Sequence, residues 1–165
     1  MWKYLLVSML IVSSSVFGQK KKSPRMEASA TIEGVRVEIA YGAPSVKGRT
    51  IFGELVPYNK IWRTGANENS IITLSQDLIV GGERLAAGTY GLFTTPTAEG
   101  WKIHFNSESD NWGAYSYSKS KDVLVVSVDI VTLDQLVEQL SMRFTEESLI
   151  IEWEKTSVVI PLTKP

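Results

Sequence analysis

The spacing of apolar and polar positions along the chain is that of a β protein. Val35, Val37, Ile39 and Tyr41 alternate with Arg36, Glu38 and Ala40, the period-two pattern of a strand with one buried face. Trp101, Ile103 and Phe105 alternate in the same way with Lys102, His104 and Asn106. Residues 70–75 are strongly β-branched, and residues 78–85 read as a hairpin turning on Gly81-Gly82. A further strand is predicted over 89–95, closed by Pro96, and another over 123–130. Residues 149–153 and 158–162 are predicted as a terminal pair of strands across Glu154-Lys155-Thr156.

One segment carries two periods. Leu133, Leu136, Val137 and Leu140 have helical spacing, whereas Leu140, Met142 and Phe144 alternate with Ser141 and Arg143. The pattern predicts a loop or single helical turn over 132–140, then a strand from about Gln139. About ten short strands with turns between them and no long helix predict an all-β fold, an antiparallel β-sandwich or jelly-roll-like domain. A closed barrel shares these signals.

The first residues belong to a different pattern. Lys3 precedes an apolar run over 4–12, broken only by Ser8, and then small residues lead to Gln19. This predicts a secretory signal peptide over 1–18. The run is shorter than the ~20 residues that span a bilayer, so no membrane span is expected once it is removed. Residues 19–25 read as a polar lead-in and 26–165 as a single domain. The expected location is therefore outside the cytoplasm, periplasmic or secreted.

Composition narrows the chemistry. The chain has 165 residues, 44% of them apolar, enough for one buried core. It has no cysteine, which excludes disulfides, a thiol nucleophile and a thiolate zinc site. A net charge of -1 gives no basis for nucleic acid as a partner or for an anionic membrane surface. The basic run over 20–22 with Arg25 reads as solvated lead-in. No phosphate loop, dinucleotide fingerprint or calcium loop is present, and no cofactor is expected.

The stretch over 44–68, PSVKGRTIFGELVPYNKIWRTGANE, is where function is sought. It sets Arg49, Glu54, Lys60, Arg63 and Glu68 among Phe52, Tyr58 and Trp62, and glycines and a proline break it into turns. Arg63, Asn67 and Glu68 offer a guanidinium fork, an amide and a carboxylate, groups suited to a polyol or a small carboxylate. The same three residues also suit a structural network. Trp112 and Tyr115, near Gly113, offer ring faces on which sugars stack, as does Trp62. Glu54 and Glu68 are candidates for a hydrolytic carboxylate pair, but nearby arginines would depress both pKa values, which hinders a general acid. His104 is the only histidine and has no ligand-spaced partner, so no metal site is expected.

Several long motifs carry a resemblance. The stretch over 44–68, then LAAGTYGLFTTP, then WKIHFN with NWGAYSYSKSKDVLVV, resembles the family catalogued as domain of unknown function 2911. The likeness runs in order from about Arg25 to Pro161. Ala86 stands where a proline is expected after the leucine, a difference of turn rigidity. The resemblance implies an exported protein of a bacterial envelope. It implies no catalytic residue.

These readings converge on a non-catalytic exported module for a small polar or carbohydrate ligand, with Trp62, Arg63, Asn67, Glu68, Trp112 and Tyr115 as contacts. Two alternatives stand beside it: a hydrolase using Glu54 or Glu68 with His104, and an envelope protein-interaction module. The oligomeric state is not legible in the sequence.

Overall fold

Nine antiparallel strands form one continuous sheet in a computed structural model, which describes residues 23–165. The expected signal peptide and most of the polar lead-in lie outside the described residues. In chain order the strands are β1 (Arg25–Ile32), β2 (Val35–Gly42), β3 (Ser70–Leu74), β4 (Leu78–Val80), β5 (Glu83–Leu85), β6 (Gly88–Pro96), β7 (Gly100–Asn106), β8 (Asp122–Phe144) and β9 (Ser148–Thr163). Their order in space is β1-β2-β3-β6-β7-β8-β9-β4-β5. The all-β antiparallel class expected from the sequence holds, and the pairing runs unbroken from β1 to β5.

The alternating pattern fixes the faces. Val35, Val37, Ile39 and Tyr41 of β2 are buried, while Arg36 and Glu38 point outward. On β7 the buried face carries Trp101, Ile103 and Phe105. The largest fully buried side chain among the described residues is Trp153 on β9. Its ring stacks on Trp62 at 5.8 Å and meets Phe52 edge-on at 6.2 Å. Trp101 closes this aromatic cluster at 5.0 Å from Phe52 and 6.0 Å from Trp62. Aromatic pairs of this kind stabilise by about 0.5–1.5 kcal/mol beyond the area they bury.

Two sequence expectations are corrected, and one strand is added that the pattern did not show. Strand β1 was not legible, because Ala28, Ser29 and Ala30 give no alternation of large apolar groups. It forms as an outer strand paired to β2 from Arg25↔Gly42 to Ile32↔Val35. The loop or helical turn expected over 132–140 is extended strand within β8. Its register against β9 slips between Thr132 and Val137 and again between Val137 and Ser141. In this region β8 has another partner: Val46 N–H donates to Glu138 O at 2.7 Å and Leu140 N–H to Pro44 O at 2.9 Å. The terminal pair expected across Glu154-Lys155-Thr156 is instead one strand, β9. Glu154 sits in it at φ 57°, a bulge position rather than a hairpin turn.

β2 ends against the far end of the central stretch. Ala66 N–H donates to Gly42 O at 3.1 Å. A Cβ on Gly42 would lie 1.9 Å from Ala66 O, a backbone atom with no side-chain freedom to yield. Gly42→Ala therefore has to push the two backbones apart. Its expected effect is a loss of about 2 kcal/mol or more, seen as a melting temperature lower by roughly 5–10 °C. An unchanged melting temperature would show that this contact is looser than it stands here.

Candidate functional site

The central stretch has no ladder of its own over most of its length, so its amides are satisfied partly by turns within it, as Val56 N–H donates to Ile51 O at 2.9 Å, and partly from outside. The bulge at Glu154 turns that side chain toward the stretch, and its carboxylate accepts Ile51 N–H at 3.1 Å and Phe52 N–H at 3.4 Å. Glu138 Oε1 accepts Lys47 N–H at 2.9 Å. Farther on, Trp62 takes a strand position beside β6: its N–H donates to Thr94 O at 2.7 Å, and Thr94 N–H donates back at 2.9 Å. The Trp62 indole N–H donates to Gly65 O at 3.2 Å. Buried hydroxyls complete the fixing: Ser70 donates to Thr64 O at 2.8 Å, and Thr64 reaches Thr94 Oγ1 at 3.1 Å.

Where this stretch crosses the sheet it leaves a hollow of about 480 Å³. Lys47, Arg49, Arg63, Leu55, Trp62 and Trp153 are among its walls. The Arg49 guanidinium is held rigidly, donating from Nε to Val46 O at 3.0 Å and from Nη2 to Ser45 O at 2.6 Å. Arg63 Nε is buried without a hydrogen-bond partner, and so is the indole N–H of Trp153. A second hollow, of about 530 Å³, opens beside Trp112, with Arg25, Glu68, Asn69, Asp110 and Asn111 around it.

The six expected ligand contacts therefore do not meet at one point. Trp62 and Arg63 line the first hollow. Glu68 and Trp112 form an isolated backbone bridge and line the second, where Trp112 is 60% exposed. Asn67 is spent on structure, its amide donating to Ser23 O at 3.2 Å. Tyr115 is 93% exposed and packs near Gly113. Lys47, Arg49 and Trp153 were not singled out as contacts. The two cations lie within the stretch already suspected, whereas only the folded sheet brings Trp153 there.

The three catalytic candidates also separate. Glu54 is exposed on a turn after Ile51, and Glu68 stands beside Trp112. His104 is 7% exposed, on the sheet face opposite the aromatic cluster. Its Nδ1 lies 2.9 Å from Asp122 Oδ2 and its Nε2 3.0 Å from Thr95 Oγ1. A carboxylate only accepts, so Nδ1 carries the proton. Tyr117 O–H donates to the same Asp122 oxygen at 2.6 Å, and Asn106 Nδ2 donates to Oδ1 at 2.8 Å. Hydroxyl, imidazole and carboxylate stand in the order of a hydrolytic triad. The flanks of Thr95 supply no oxyanion donors, however. Thr94 N–H is bonded to Trp62 O, and Pro96 has no N–H. The group reads as a pin that fastens residues 107–121 over the sheet.

Comparison with known protein families matches residues 23–162 to the one described as Protein of unknown function (DUF2911). The chain belongs to this family. Comparisons with curated proteins and with solved structures give no match. For this DUF2911 chain the geometry above therefore stands without a relative of known activity to interpret it.

The pin has a consequence in alkali. Burial, the hydrogen bond to Asp122 and the charge of that carboxylate all raise the Tyr117 pKa above its ordinary value of 10.0. The folded state thus holds this proton where the unfolded chain releases it, and stability falls as pH rises above about 10. The Tyr117→Phe variant should lose about 1–2 kcal/mol at neutral pH, with a shallower decline above pH 10. Urea midpoints across pH 7–11 for both proteins measure this, and parallel declines would refute the assignment.

Proposed function

We propose that this protein is an exported, non-catalytic binding module that takes a small polar ligand in the hollow walled by Arg49, Arg63, Trp62 and Trp153. One observation carries the reading. Guanidinium and indole groups from separate parts of the chain converge on one hollow whose backbone is fixed on every side. Its volume, about 480 Å³, falls in the range of small-molecule sites. Fixed walls mean that little ordering entropy is lost when a ligand enters. Export is supported by the apolar run and small residues over 1–18.

The hydrolase alternative finds less support. Its carboxylates and histidine occupy three different settings, and the histidine lies on the sheet face opposite Trp62 and Trp153. No observation favours the protein-interaction alternative over a ligand site.

A thermal-shift screen of the purified chain against small polar metabolites tests the proposal. A ligand present at 100 times its Kd raises stability by about 2.7 kcal/mol. Arg63→Ala should melt close to the parent, because the side chain it removes has a buried, unpartnered Nε. The variant should nevertheless lose the shift. A hit that stabilises both proteins equally would place the site elsewhere.

A further inference from the structure

Resting on that binding role, we infer that the ligand of this hollow is a small organic anion: an acidic head group on an apolar or ring-bearing body. The hollow's lining contains Lys47, Arg49 and Arg63 and no aspartate or glutamate. None of the three cations belongs to an ion pair among the described residues, although other cations of the chain do. The two carboxylates fastened to the same stretch are occupied by backbone amides, Glu138 by Lys47 and Glu154 by Ile51 and Phe52. Glu54 is exposed on its turn and is not part of the lining.

Hydrogen-bonding capacity points the same way. Arg63 Nε and Trp153 Nε1 are both donors, both buried and both without a partner. Arg49 spends Nε and Nη2 on carbonyls, so the guanidinium plane is set before any ligand arrives. Cations held in place around a hollow, as Arg49 is by two carbonyls, favour a ligand rich in acceptors and negative in charge. A neutral polyol, which brings no negative charge to answer three cations, would use such a lining poorly.

The apolar walls argue for an organic body. Leu55, Val56, Pro44, Trp62 and Trp153 share the lining with the cations. Leu55 is 47% exposed, an apolar side chain left at the rim. A bare inorganic oxyanion fills little of about 480 Å³ and touches none of that surface productively. The carboxylate, sulfate or phosphate identity of the head is one chemistry here, because a guanidinium fork accepts each.

Matched acids and amides separate charge from shape. The purified chain is titrated with benzoate against benzamide and with phenylacetate against phenylacetamide. Inorganic sulfate is the third arm, and calorimetry and tryptophan fluorescence are the readouts. At low salt each acid should bind at least 10-fold more tightly than its amide, and the difference should shrink as salt is raised. Sulfate should compete only at much higher concentration than the acids. Arg63→Gln should bring acid binding down to the amide level with the melting temperature unchanged. Should that variant unfold, Lys47→Gln on the exposed rim should still lower acid affinity several-fold. Amides that bind as tightly as acids would overturn the anionic assignment while leaving the binding role intact. Silence of every compound, together with an empty metabolite screen, would overturn both.

Discussion

A carboxylate at one bulge holds the central stretch in place. Glu154 leaves the regular course of β9 at φ 57° and gives its two oxygens to the amides of Ile51 and Phe52. Without it, a stretch rich in glycine and proline would leave buried amides unpaired, at about 1–3 kcal/mol each. The same bend aligns Phe52 with the rings of Trp62, Trp101 and Trp153. Polar anchoring and aromatic packing therefore act on one segment from two sides. The hollow lies beside that segment, and Leu55 and Val56 of it share the lining with Trp62 and Trp153.

The long β8 strand shows how the sheet makes room for this. Below Thr132 it pairs regularly with β9, and beyond Ser141 it does so again. Between them it departs to give the backbone of Glu138 to Val46 and to receive Pro44 O at Leu140 N–H. A strand that serves two partners has to carry extra residues where it changes from one to the other. That is the physical origin of its two slips. It also explains the mixed periodicity over 132–140, since no single buried face runs through a segment that changes partner.

Much of the fold was legible where one face is wet and one dry. The alternation in β2 and β7 and the glycine pair between β4 and β5 gave element type and place directly. Legibility failed where the determining contact is remote. Strand β1 owes its existence to pairing with β2, because Ala28, Ser29 and Ala30 carry no pattern. Glu154-Lys155-Thr156 looks like a turn until Glu154 is seen to have a task on another segment. The candidate site was half legible for the same reason. Arg63 and Trp62 stood out from charge and aromatic density among turns, yet Trp153 enters from the last strand and Asn67 is absorbed by Ser23 O. Glu68 and Trp112 stand together at another opening. Sequence density singled out the stretch that lines the first hollow but had no means of separating it from a second one, to which only Glu68 of the stretch contributes.

Charge disposition is what distinguishes the hollow beside Trp62 from ordinary surface. The chain is close to neutral overall, with 17 lysines and arginines against 18 acidic residues. Elsewhere on the described surface some cations stand beside carboxylates, as Arg84 stands beside Asp77 at 2.6 Å. Around this hollow the local carboxylates are instead turned onto backbone amides. Among the described residues, the acids that hold the stretch in position make no ion pair with the cations it presents. The same carboxylates therefore set the hollow's shape, and loosening an anchor such as Glu138 or Glu154 would let the stretch that carries Lys47 and Arg49 shift.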